Sequence, residues 1–267
     1  MYKVDLNSDL GESFGRYTVG CDEEILHTVS SVNIACGVHA GDPMVMNRTV
    51  QRCKELGVAP GVHPGFPDLQ GFGRRQILMN PGELKNYIVY QIGALSAFAK
   101  MYGMKLQHVK PHGALNNMMP YNEMYSKEIC EAILAVDPEL ILVAPTNTMT
   151  LEMARDMGLK TVSEVFADRA YQDDGYLVSR AKPHAMITDE NEAIQRWLCS
   201  MRKRCAKHWR KRRFRLSIWN RCYKEKSGGV GKYKNIQAES GSGTRSRYSG
   251  SGTRRGGAPV SSDDSRI

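Results

Sequence analysis

One arrangement recurs along this chain and limits what it can fold into. A short apolar run ends at once in a cluster of polar and glycine residues, and a helix-forming stretch follows. The clusters are residues 5–12 (DLNSDLGE), 33–43 (NIACGVHAGDP), 61–68 (GVHPGFPD), 109–115 (VKPHGAL) and 164–171 (EVFADRAY). Apolar runs at 2–6, 31–35, 58–62, 106–109, 140–144 and 161–166 read as strands. Helices are expected over 21–30, from Pro43 behind an Asp42 cap, over 80–102 behind a capping-box-like start, over 122–136, over 148–157, and from Asp189 behind Thr188. Six strands alternating with helices predict a parallel β/α sheet or barrel. Polar clusters behind nearly every strand favour the barrel, since an open sheet gathers its ligand groups near one switch point.

The pattern stops near residue 196. Residues 1–196 hold 18 Lys/Arg against 24 Asp/Glu, a net −6, and residues 197–267 hold 19 against 4, a net +15. The overall +9 therefore belongs to the tail. The expected organisation is a 1–196 barrel domain and a 197–267 basic, low-complexity tail, read as disordered or out of frame, which leaves the barrel incomplete at its C-terminus. A nucleic-acid-binding arm is the alternative for the tail. Ser227–Tyr233 imitates a phosphate loop but lacks the full GxxxxGK[ST] pattern. No run approaches a membrane span, no secretory leader is visible, and seven scattered cysteines suit a reducing cytoplasm.

Asp5, Asn7 and Asp9 alternate, so one face of an extended segment carries all three. Such groups are costly to bury without a cation or polar substrate; a solvated edge strand is the plainer alternative. His39, His63 and His112 each lie beside or near a glycine at a strand end, which suits a divalent metal or acid–base chemistry. His108 alternates with His112 and reads as a supporting residue. Lys110 suits a carboxylate or phosphate, or is simply solvated. Arg74 and Arg75, in a Gly-rich loop, either close over an anionic ligand or form a plain basic loop. Arg169 suits bidentate carboxylate recognition, with an ion pair to Asp168 as the alternative.

Together with GFGRR at 71–75, these segments resemble the LamB/YcsF family over about 1–196, in order. The resemblance implies a seven-stranded β/α barrel of the glycoside hydrolase/deacetylase type. It implies one component of an ATP-dependent 5-oxoprolinase, cleaving 5-oxo-L-proline to L-glutamate with ATP as co-substrate and subunits B and C as partners. Asp9, His39, His63, His112 and Asp168 are the expected catalytic groups. Asn7, Glu12, Arg74, Arg75, Lys110 and Arg169 are the expected substrate-binding groups. Members of the wider superfamily use an Asp-His-His metal site, matched by position to Asp9, His63 and His112. The family's late VHGDNP segment is absent here. A stand-alone metal-dependent amidase or deacetylase is the alternative enzyme. No specific nucleic acid or membrane partner is expected.

Overall fold

The computed structural model describes residues 5–146, 148–172, 177–179, 182–189, 191–193 and 214–218. Seven parallel strands, β1 (Asp5–Leu10), β2 (Ser31–Ala35), β3 (Ala59–His63), β4 (His108–Val109), β5 (Ile141–Pro145), β6 (Lys160–Phe166) and β7 (Phe214–Ile218), close into a barrel in chain order. The helices between them are α1 (Asp22–Leu26), α2 (Pro43–Leu56), α3 (Glu83–Met101), α4 (Gly113–Met118), α5 (Glu123–Val136) and α6 (Met149–Asp156).

The barrel is closed rather than left open after residue 196, which corrects that expectation. Residues Phe214–Ile218 pair with β6 on one side and β1 on the other, with Asp5 opposite Arg215 and Glu164 opposite Arg215. The sequence signal is a period-two alternation, Phe-Arg-Leu-Ser-Ile, surrounded by Arg and Lys. The phosphate-loop imitation and most of 197–267 lie outside the described residues. Among the described residues, no helix is long and apolar enough to cross a membrane. Cys36, Cys53 and Cys130 are free and buried, as scattered thiols should be. Cys21 is instead disulfide-bonded.

Local sequence explains the elements. Asp42 caps α2, its Oδ1 accepting the Val45 N–H at 2.9 Å, with Pro43 at the first helical position and Gly57 ending the helix at φ 70°. Asn122 caps α5 in the same way. The expected start of α3 is shifted: the helix begins at Glu83 with Gly82 at its N-cap and no side-chain cap, and of the capping box only the Asn80 N–H bond to Glu83 Oε2, at 2.7 Å, is present. The 113–118 helix was not expected from the sequence.

Along β2 the alternation separates two environments. Val32 and Ile34 join the apolar layer with Met46, Val50 and Cys53 of α2. Ser31 and Asn33, equally buried, join a polar lattice. Asn7 Nδ2 donates to Ser31 Oγ (2.8 Å), Asn33 Nδ2 donates to Asn7 Oδ1 (2.5 Å), and His108 Nε2 lies 2.6 Å from Asn33 Oδ1. These bonds repay the desolvation of a polar interior. Gly61 makes room for it: a Cβ there would fall 2.0 Å from His108 Nε2.

Candidate active site

Parallel pairing sets the strand ends side by side: Asp9 opposite Asn33, Ala35 opposite His63, Val62 opposite Val109. From these ends project Asp9 near the end of β1 and Glu12 after it, His39 after β2, His63 at the end of β3, and Lys110 and His112 after β4. Glu12, His39, His63 and His112 are all buried, and one ligand atom from each lies within 4.8 Å of the others.

Backbone carbonyls fix the orientation of two of the rings. His63 Nδ1 lies 2.7 Å from the Lys110 carbonyl, and His112 Nε2 lies 2.8 Å from the Phe72 carbonyl. A carbonyl only accepts, so each of those nitrogens carries the proton. The remaining nitrogens, His63 Nε2 and His112 Nδ1, then face one another at 2.9 Å. In neutral rings both present lone pairs. Burial, with the His63 charge second, drives the His112 pKa down to about 3, so its ring is neutral. His39, buried and beside both other rings, is also held well below the ordinary range, and neither of its nitrogens has a hydrogen-bond partner. Glu12 Oε1 is buried without a partner, 3.6 Å from His112 Nδ1. Burial, reinforced by Asp9, pushes the Glu12 carboxyl up to about 8.

This donor set fits a divalent cation: lone pairs and a carboxylate converge on one dry space. The residues that could hold it are Glu12, His39, His63 and His112, where Asp9, His63 and His112 were expected. Asp9 Oδ1 is already taken by Asn33 Nδ2 (2.7 Å) and Lys110 Nζ (2.8 Å), leaving Oδ2, 3.4 Å from His63 Nε2. Glu12 is the carboxylate aimed into the cluster. His39 stacks on His112 at 3.8 Å and 7°. An imidazole binds a metal in its ring plane, and two parallel planes do not meet at one ion, so as placed only one of that pair serves with His63.

The expected anion-binding residues divide. Lys110 is buried between Asp9 and Glu164 (Nζ to Glu164 Oε1 3.0 Å), an internal triad rather than a free cation. Burial opposes both charges, but His63 and Lys110 hold the Asp9 carboxyl well below its usual range, and the two carboxylates raise the Lys110 ammonium. Asn7 is spent on the interior lattice. Arg75 is drawn to Asp68, and Arg169 donates to the Val178 carbonyl (2.7 Å) and, at 3.4 Å, to that of Ala185. Asp168 is half-buried beyond β6, its carbonyl accepting the Ile187 N–H. Arg74 remains exposed, its guanidinium 4.9 Å over the Phe72 ring, with a charge that lowers the pKa of Glu12 and His112. Asn33 and Glu164 were missed as site residues, although each lies in a segment singled out by its pattern.

Comparison with known proteins places the chain among relatives. The 5-oxoprolinase A subunit of Pyrococcus abyssi (strain GE5 / Orsay) is 58% identical over 194 residues, 73% of this chain and 76% of that protein. Its namesake from Clostridium beijerinckii (strain ATCC 51743 / NCIMB 8052) is 56% identical over 196 residues, 73% and 77% of the two chains. The crystal structure of the lactam utilization protein from Thermus thermophilus superposes with a TM-score of 0.74 at 43% identity, over 81% of this chain and 90% of that one. The LamB/YcsF family model matches residues 4–224, a span that includes β7, and the chain therefore belongs to the LamB/YcsF family.

Proposed function

We propose that this chain is the component of a 5-oxoprolinase that holds the lactam, opening 5-oxo-L-proline to L-glutamate with ATP hydrolysis to ADP and phosphate, together with partner subunits B and C. The observation that carries the reading is the convergence of Asp9, Glu12, His63 and His112 at the barrel mouth in a chain 58% identical to a protein named as the A subunit of 5-oxoprolinase. A lactam is a poor electrophile, and coupling to ATP raises its reactivity, for example by phosphorylating the carbonyl oxygen. The site then has to tolerate an anion and move a proton. Arg74 at the mouth supplies a cation. Glu12, with a pKa near 8, keeps its proton at neutral pH and serves as an acid toward the departing nitrogen. Asp9 stays ionised, held by Lys110 and Asn33, and suits orientation of the attacking water. A divalent cation, if bound, would take Glu12 in its ionised form with His63 and His112, in place of the acid role of Glu12, and would supply Lewis acidity.

The test is an assay of 5-oxoproline-dependent glutamate formation with ATP, using this chain with partner subunits B and C. No glutamate from the complete mixture would sink the reading. A stand-alone metal-dependent amidase is the second reading, favoured by the facing lone pairs of His63 and His112. Lactam or amide cleavage by the chain alone, without ATP and abolished by a chelator, would establish it instead.

A further inference from the structure

The loop between β3 and α3 carries a polar unit centred on Asp68, which was not among the residues expected to act, and joined to Arg75, which was expected to bind substrate. The Asp68 side chain is completely covered. Its carboxylate accepts the Gly71 N–H at 2.9 Å, the Arg75 N–H at 3.3 Å and the Arg75 Nε–H at 2.9 Å, with Arg75 Nη2 also in contact. Its carbonyl accepts the Gly73 N–H at 2.9 Å. Every one of these bonds draws the 71–75 turn onto Asp68.

That turn is strained. Phe72 has φ 55° and Gly73 has φ 62°. A bulky residue in the left-handed region persists only where its surroundings hold it, and such strain gathers at functional sites. Here the turn aims two carbonyls at the strand-4 loop: that of Phe72 accepts His112 Nε2–H at 2.8 Å, and that of Gly73 accepts the Ala114 N–H at 2.9 Å. Gly73 itself must lack a side chain, since a Cβ would fall 2.8 Å from both His112 and His39. The Phe72 ring lies edge-on to His112, its centroid 5.1 Å away.

Resting on the reading of this site as lactam-opening, we propose that Asp68 is a positioning residue for the reaction. Clamped to Arg75, it holds the Phe72–Gly73 turn so that the Phe72 carbonyl selects the His112 tautomer whose Nδ1 lone pair faces His63 and the substrate space. Asp68 acts through the turn and does not touch substrate.

Nitrogen NMR of the histidine-labelled full chain, stripped of metal with a chelator, reads the tautomer directly. Wild-type His112 should be the Nε2–H form alone. D68N and R75Q should each give a mixture of both tautomers. Assayed with partner subunits, both should lose kcat on the order of 100-fold, the scale of a misplaced catalytic group, with KM near the wild-type value. F72A keeps the carbonyl and should keep the tautomer. Arg75 is 64% exposed, so R75Q leaves the core intact and decides the matter if D68N does not fold. A single Nε2–H tautomer and undiminished kcat in R75Q would overturn the proposal. A shifted tautomer in the variants, beside a wild type with no 5-oxoprolinase activity, would uphold the positioning and discard the reaction.

Discussion

The Lys110 ammonium lies 2.8 Å from Asp9 Oδ1, across the barrel from its own position in sequence and almost wholly shielded from water. Because Glu164 holds the same ammonium, removing Lys110 takes one cation from two buried acids. K110M should destabilise the fold by roughly 3–5 kcal/mol, the usual cost of breaking a buried ion pair from one side. The pH dependence follows from the two shifts. Lys110 is raised, so its contribution is full below the ordinary lysine value and fades as pH rises through the folded one. Asp9 is lowered, so its contribution is full above the ordinary aspartate value and fades as pH falls through the folded one. Urea denaturation of the wild type should show a plateau between about pH 5 and 10 from this pair. In K110M that plateau should be lost, because Asp9 no longer faces the ammonium that helps to lower it. Equal stability of the two proteins would mean that the triad is hydrated.

Asp9→Ala and His112→Ala address the chemistry. With partner subunits and ATP, each should lower 5-oxoproline-dependent glutamate formation by at least about 100-fold, the lower end of what a positioned acid or base supplies. Circular dichroism should be unchanged. Near-normal turnover in either variant removes that residue from the site, and an equal loss of helical signal makes its role structural.

The metal reading makes a separate claim about which carboxylate binds. Titration calorimetry with zinc or manganese should show E12Q weakened more than tenfold, since even outer-shell changes cost about 10–100-fold. D9N should retain more affinity, because one Asp9 oxygen is occupied by Asn33 and Lys110. The reverse order would restore Asp9 as the ligand.

The chain alone should show little 5-oxoprolinase activity, since its relatives are named as one part of a larger enzyme. Adding purified partner subunits B and C, with ATP present, should raise glutamate formation well above the lone chain. Full activity without them would move weight to the stand-alone hydrolase.

Barrel closure can be tested by length. A chain ending at residue 196 lacks β7 and exposes the edges of β1 and β6, so it should aggregate. A chain ending at Gly229 keeps all seven strands and should remain dispersed in light scattering. Identical behaviour of the two would show that Phe214–Ile218 does not close the barrel.

Much of this architecture was legible in the residues themselves. Ser31–Ala35 could be bounded from its apolar run, and the three histidines met because parallel strands bring their ends to one side. What the sequence concealed were partnerships. Lys110 looked like a ligand for a substrate anion because Asp9, 101 residues away, could not be seen to claim it. Arg169 offered a fork suited to a carboxylate and spends it on loop carbonyls. The Asp68–Arg75 pairing was closer to hand, since seven residues spanning Gly71 and Gly73 are short enough for a turn to bring together. The strand Phe214–Ile218 was hidden because charge dominated the reading of its neighbourhood.

The absent side chain at Gly61 also constrains how this lineage can drift. With the His108 ring occupying the space where a Cβ would stand, position 61 cannot become even alanine while histidine remains at 108. Surrendering the histidine first would remove a hydrogen bond from Asn33 and loosen its grip on Asp9. Neither order of change offers a neutral first step, so the two positions should be inherited as a pair, and descendants that differ at one should differ at both.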